Sequence, residues 1–304
     1  MSLTIIHSTI IMTLSNKPEI LITGSTGTIG SELCKQLSKK GIPFRAMSRS
    51  VEKAAHIKNL RGSEIVIADF NDCNSLEKAL KGITHAFLLT DSSAKAERLQ
   101  SNFVRVARKV GLDHIVKQSQ YKAAVDSPVR FLRYHAAVEQ KIRSAGINFT
   151  FLRPNLFMQG LLGFKDFIIN EGTFFATLGD AKVSLIDIRD IAAVAAQSLQ
   201  GTAHYNKIYS LTGPEALTHF EIADQLSEAL GRSVTYLDTS DDEMLEALLH
   251  VGFPEWQALG LIEDYAHYSR EEAEATTDTV QQVTGNIPRR FKDFTCDYAD
   301  IFKD

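Results

Sequence analysis

The stretch "ILITGSTGTIGSELCKQLSKKG", residues 20–41, limits the folds open to this chain more than any other. A β-rich run ends at Thr23, glycines follow at Gly24, Gly27 and Gly30, and an amphipathic helix bearing Leu33 and Leu37 runs to a stop at Gly41. Each glycine answers a physical demand. The first permits a tight turn, the second lets backbone N–H groups approach a pyrophosphate, and the last lets the helix pack closely on the strand. The N-terminus of such a helix favours an anion through its free N–H groups and its dipole. Three glycines alone are a weak signal; with a strand before and a helix after, a dinucleotide-binding turn is expected.

The flanking sequence agrees. From 19 to 154 short β-rich runs alternate with amphipathic stretches, the rhythm of βαβ units around a parallel sheet. Strands are expected at 19–23, 44–48, 64–68, 85–90, 114–119 and 148–152, and the fold class is α/β, a doubly wound Rossmann sheet. Residues 95–111 place Leu99, Phe103, Val106, Ala107 and Val110 on one helix face, with Gly111 as the stop. After Pro154 the segment to 180 is rich in Phe, Leu and Gly, either plain core or the wall of an apolar pocket. A strand at 184–188, a helix at 189–200 opened by Asp187 and Asp190, and a strand at 207–213 return to the main domain. Helices near 218–230 and 241–270 then build a smaller lobe. The expected organisation is a Rossmann core at 18–155, a cleft-lining insertion at 156–181, a return to the core at 182–213 and a substrate lobe at 214–304.

The end of the second strand decides the dinucleotide. An NAD site places an Asp or Glu about 20 residues beyond the glycines, whereas a 2′-phosphate calls for Arg or Lys. "FRAMSRSVEK" offers Arg45, Ser48, Arg49 and Lys53 with no acid before Glu52. A guanidinium binds phosphate through paired hydrogen bonds, so NADP(H) is favoured over NAD(H), with Arg49 the better candidate and Lys53 a second. Asp69 and Phe70, after the third strand, are expected to border the adenine.

Composition removes other classes. A net charge of −4 with no Lys/Arg block argues against nucleic acid. Three widely spaced cysteines suggest neither a disulfide framework nor a zinc site, and a reducing cytoplasm fits them. Nine histidines without ligand spacing give no metal site, and no G-x-S-x-G elbow points to a hydrolase. The first twenty residues make a poor signal peptide and are too short an apolar run to span a bilayer, so no membrane association is expected. Met12 offers a second start, and residues 1–11 are set aside from the fold.

The glycine spacing is G-x-x-G-x-x-G, as in short-chain dehydrogenases. Together with "RAMSRS", "ADFND", "SAGINFTFLRPNLFMQ", "DIRDIA" and "YSLTGPEALTHFEIADQLSEALGR", it resembles the NmrA-like branch of atypical short-chain dehydrogenases, near the NAD(P)H:quinone oxidoreductase type 2 and triphenylmethane reductase group. The resemblance runs from residue 18 to about 300 and is far less specific for substrate than for family. It implies phosphate contacts from Gly24, Thr26, Gly27, Thr28, Ile29 and Gly30, and a 2′-phosphate contact from Arg49. Thr90, Gln118 and Ser119, then Pro154, Asn155 and Leu156, would surround the ribose and nicotinamide.

Conventional members of that superfamily set a Tyr and a Lys four apart, so that the ammonium lowers the phenol's pKa. In "RYHAAVEQK" Tyr134 and Lys141 are seven apart, with about 10 Å of helix rise between them. The pair at the right spacing is His135 and Glu139. It would either be an ion pair without chemistry, or a hydrogen-bonded pair that raises the imidazole toward neutrality as a proton donor. Hydride transfer from NADPH to a quinone-like, planar, electron-poor small molecule is the expected function, since such an acceptor needs little more than positioning. A regulator that binds NADP(H) without turnover and acts on a protein partner is the alternative, and a homodimer is compatible with either.

Overall fold

The structure, a computed structural model, describes residues 17–303; the set-aside residues 1–11 lie outside the described residues. Seven strands form one parallel sheet: β1 (Ile20–Ile22), β2 (Phe44–Ser48), β3 (Ser63–Ile67), β4 (His85–Leu88), β5 (His114–Gln118), β6 (Asn148–Pro154) and, later in the chain, β8 (Lys207–Leu211). Their order is β3-β2-β1-β4-β5-β6-β8, so the winding reverses between β1 and β4. At that reversal the connections leave in opposite directions and open a crevice at the strands' C-terminal ends.

Helices cover both faces, as a wholly parallel sheet requires. On one side α1 (Thr28–Lys39) and α7 (Ile188–Ser198) bury Leu33, Leu37, Ile191 and Ala195 against Ile22, Phe87 and Val116. The short α2 (Ala55–Lys58) flanks α1 there. On the other side α3 (Cys73–Leu80), α4 (Ala96–Val110) and α5 (Arg130–Ser144) bury Leu76, Phe103, Val106, Val138 and Ile142 against Leu21, Ile115 and Phe151. On α4 the expected face is present, but Val110 is exposed and Leu99 is only half-buried, on the wall of a cavity. Gly111 closes the helix in the left-handed region, at φ +73°.

The rest of the chain assembles over the C-terminal ends of the strands. A 3₁₀ helix (Met158–Phe164) leads into α6 (Lys165–Glu171) and β7 (Thr173–Ala176), which pairs in parallel with β9 (Thr235–Asp238) in a separate two-stranded sheet. Between these strands lies α8 (His219–Leu230), opened by a Thr218–Glu221 capping box. The helix expected at 241–270 is two, α9 (Asp241–His250) and α10 (Glu255–Tyr268), because Gly252 at φ +88° and Pro254 break it. Two short helices, α11 (Thr279–Thr284) and α12 (Phe291–Tyr298), finish the chain against α7 and α8. The strand expected at 184–188 is instead an extended link with a single bridge, Ile186 to Phe157, and Asp187 caps α7 through its side chain. Asp190, in the first turn of α7, receives the backbone N–H and the guanidinium of Arg289. Among the described residues no helix is long and apolar enough to cross a membrane.

Candidate active site

The glycine turn is riveted to its neighbours. Thr23 donates its hydroxyl to the Phe87 carbonyl and receives the Leu89 N–H, each at 2.9 Å, which ties β1 to β4 at the crevice. Ser25 donates to the Met47 carbonyl at 2.7 Å and ties the turn to β2. Gly24 has φ +59°, and a Cβ on Gly30 would sit 2.2 Å from the Gly24 carbonyl oxygen. Helix and strand are thus at the separation only glycine allows, with the α1 N-terminus facing the crevice.

A cavity of about 690 Å³ opens there, lined by Gly24, Thr26, Gly27, Thr28 and Ile29 from the turn, Arg49 after β2, Asp69 and Phe70 after β3, and Thr90 after β4. Gly30 stays behind the turn as packing. Asn71 holds the Asp69 carboxyl below its usual range, first through its backbone N–H, with the Arg49 guanidinium assisting. Arg49 is exposed at the rim, with its charge facing the cavity. Lys53 does not line it: the residue is exposed beyond the rim, with its backbone N–H on the Ser50 hydroxyl. Arg45 is occupied elsewhere, donating to Glu64 and to the Ala79 and Lys81 carbonyls, because alternation along β2 turns its side chain away from the crevice.

A second cavity of about 470 Å³ adjoins the first, and the two share Ile29, Leu89, Thr90, Phe157 and Gly160. Gln118 and Ser119 line it from the end of β5, and Pro154, Asn155 and Leu156 from the end of β6. Phe157, Phe164, Phe167 and Phe175 supply its apolar wall, and Met244, Leu248, Leu261 and Tyr265 of α9 and α10 close it from above. Asn155 is a brace: its amide donates to Ser184 Oγ and the Ala273 carbonyl, while its oxygen receives the Leu156 N–H. The Gln118 amide oxygen is buried and has no partner among the described residues. Such an acceptor fits the carboxamide of a nicotinamide, as the glycine cradle fits its pyrophosphate.

The expected pairing of His135 with Glu139 does not form. Both are on α5 at helical spacing and both are buried, but each is held by other elements. Glu139 accepts from Ser119 Oγ at 2.6 Å and from Arg153 Nε and Nη2 at 3.0 and 2.6 Å, with Arg143 as a more distant ion pair. Guanidinium geometry and charge outcompete an imidazole one turn away. His135 lines the second cavity, and its Nδ1 is 2.7 Å from Lys117 Nζ. Its pKa is shifted opposite to expectation, well below 6.5, first by burial and then by the charges of Lys117 and Arg153. The ring is therefore neutral near pH 7.

Lys117 is the residue that sequence reasoning missed. It is fully buried on β5, a strand paired on both sides, and burial brings its pKa down to about 7. Its signal was a lysine straight after the apolar Ile115 and Val116 in a central strand. Tyr134 is also buried, bonded to Ser92, its phenol pushed far up by burial. Lys141 is on the outside with Glu97 and Ser101, so the tyrosine and lysine never meet. Neither Tyr121 nor Lys122 lines the cavity. Asp264 of α10 does line it, accepting from Gln120 and Tyr268, with burial bringing its carboxyl up to about 7.

Known proteins share this arrangement of chain. The chain is 36% identical over 283 residues to the NAD(P)H azoreductase of Xenophilus azovorans, a match covering 93% of this chain and 99% of that protein. The NADPH-dependent quinone oxidoreductase of Escherichia coli, solved with NADPH, superposes with a TM-score of 0.84 at 26% identity over 92% of this chain and 99% of that one. The triphenylmethane reductase of Citrobacter sp., solved with NADP(H), does so with a TM-score of 0.81 at 28% identity over the same shares. The model of the NmrA-like family matches residues 16–294, nearly the whole chain, and this protein belongs to that family.

Proposed function

We propose that this protein, an NAD(P)H-dependent oxidoreductase whose cofactor is NADP(H), passes hydride to a planar, electron-poor small molecule, a quinone foremost. The observation that supports this reading is the wall shared by the two cavities, since a nicotinamide bound at the crevice would lie against a flat guest beside it. The glycine turn and the α1 N-terminus hold the pyrophosphate, Arg49 the 2′-phosphate, and the Gln118 oxygen the carboxamide. NADPH supplies the hydride when bound. Phe157, Phe164 and Phe175 stack a flat ring and exclude water from it, and the helices α9 and α10 keep that wall closed. With its Nδ1 turned to Lys117, His135 presents Nε2 to the cavity, where a neutral N–H can donate to the acceptor oxygen. Glu139 has no direct part; it fixes Ser119 and Arg153 behind the site.

Purified protein mixed with NADPH and a panel of simple quinones is the test. Loss of reduced-nicotinamide absorbance that requires both protein and quinone is expected; tight NADPH binding without turnover across the panel would leave a cofactor-binding regulator.

A further inference from the structure

The wall of the acceptor cavity has a second layer. Lys117 shares its face of β5 with Ile115, turned toward α4 and α5, and its ammonium has two hydrogen-bond partners: the Gln118 carbonyl at 2.8 Å and His135 Nδ1 at 2.7 Å. Among the described residues no carboxylate reaches it within an ion-pair distance, because Glu139 is taken by Arg153, Arg143 and Ser119. A fully buried lysine without a carboxylate is costly, so a bond aimed at one ring nitrogen of a cavity-lining histidine calls for a use.

We propose that Lys117 is a positioning residue for reduction of the acceptor: by donating to Nδ1 it fixes His135 as the neutral Nε2–H tautomer and returns a proton to the ring as Nε2–H gives its own away. This rests on the reading of His135 as the donor to the acceptor. The step balances. The acceptor gains a hydride from the nicotinamide and a proton from Nε2; the proton on Lys117 Nζ passes to Nδ1, so the ring stays neutral and Lys117 is left as an amine. When product leaves, a proton from bulk solvent, carried in by water, restores Nε2–H and the Nδ1 proton returns to Nζ.

The charges facing this pair are few. Glu139 on α5 favours the ammonium and Arg153 on β6 disfavours it. The neutral Tyr134 ring is 4.1 Å from the His135 ring, and Asp264 faces Tyr134 across the cavity from α10. With Lys117 near 7, the ammonium is present below that pH and lost above it, so turnover should fall as pH rises through about 7.

The test has an arm that needs no turnover. Nitrogen-15 shifts of the His135 ring in the protein alone should report the Nε2–H tautomer at about pH 6, and Lys117→Met should lose that fixed tautomer. An Nδ1–H ring in the wild type, or the same Nε2–H ring in Lys117→Met, overturns the proposal. With NADPH and a quinone, Lys117→Met should lower kcat about tenfold or more while NADPH affinity, which also shows that the variant is folded, stays unchanged. Lys117→Arg, which holds its proton at every working pH, should keep the tautomer but lose turnover as Lys117→Met does, since a guanidinium cannot give its proton to Nδ1; wild-type turnover in it also overturns the proposal. Should Lys117→Arg fail to fold, the wild-type and Lys117→Met spectra decide. Should no quinone be reduced by the wild type, the proposed function fails while the tautomer still decides the role of Lys117.

Discussion

Gly30 and Arg49 show how single residues divide the labour of one turn. Gly30 lines neither of the two adjoining cavities; it sets how near α1 lies to β1, and so where the helix N-terminus points. Arg49 is exposed at the rim and offers its charge there, to Asp69 and to a ligand. Its removal should therefore act on ligand alone: Arg49→Ala is expected to raise KM for NADPH by about ten- to a hundredfold, the worth of one hydrogen bond to a charged group at roughly 1.5–3 kcal/mol, with KM for NADH nearly unmoved. Steady-state rates with each nucleotide check this, and equal weakening would mean that another group meets the 2′-phosphate. At this scale the sequence was legible where chemistry is local. The cavity lining from Gly24 to Ile29 follows from spacing within one turn. The partners of His135 and Glu139 do not, because Lys117 is eighteen positions away on β5 and Arg153 fourteen positions away on β6; only the folded sheet brings those charges to α5.

Between elements, the contact of α5 with α10 decides whether the acceptor cavity has a roof. Arg130 in the first turn of α5 grips Glu263 through its backbone N–H, Nε and Nη2, donates Nη1 to the Trp256 carbonyl, and lies over the Trp256 ring at 5.6 Å. Gly260 lets the two helices cross closely, since a Cβ there would be 2.4 Å from the Phe131 ring. Burial would raise the Glu263 carboxyl, but the Arg130 hydrogen bonds prevail and hold it below its usual range. Both side chains are partly exposed, so the pair is worth about 1 kcal/mol after solvent screening. Glu263→Gln should loosen α10, speed its amide hydrogen exchange roughly fivefold, and raise KM for the acceptor while leaving NADPH binding unchanged. Unaltered exchange in α10 would show that the apolar contacts alone hold the roof. The break at Gly252–Pro254 carried its own signal in that glycine and proline, though the expected helix ran across it; an ion pair across 133 positions leaves no local periodicity.

For the whole molecule, the strands around the crevice come from the first half of the chain and its cover from the second, and the dinucleotide cavity touches both, from Gly24 to Ile188. A ligand bound there stabilises the folded state as a unit: at a hundredfold over its Kd, NADPH should add about 2.7 kcal/mol. Thermal unfolding with and without NADPH measures this, and a melting temperature indifferent to the nucleotide would contradict the proposed site. At this scale the sequence was most legible in the sheet. Residues 44–48 are β2 to the residue, and six of the other seven expected strands each overlap an observed one, because buried parallel strands are continuous β-branched and aromatic runs bounded by turns. The expected strand at 184–188 failed since its apolar residues are buried in two adjoining apolar clusters without a ladder, and the β7–β9 pair escaped notice because its strands are four residues each and far apart in sequence.

The wall common to the two cavities consists of Ile29, Leu89, Thr90, Phe157 and Gly160, while the phenylalanines beyond it and the faces of α9 and α10 touch the acceptor side alone. Evolution and engineering therefore meet two kinds of position. A change at Phe164, Phe167, Met244 or Leu248 reshapes the guest's pocket without disturbing the nucleotide, so acceptor preference can drift among descendants of one scaffold while the electron donor stays fixed. A change at Leu89 or Phe157 alters both at once, and such positions are the ones a library aimed at new acceptors should leave alone.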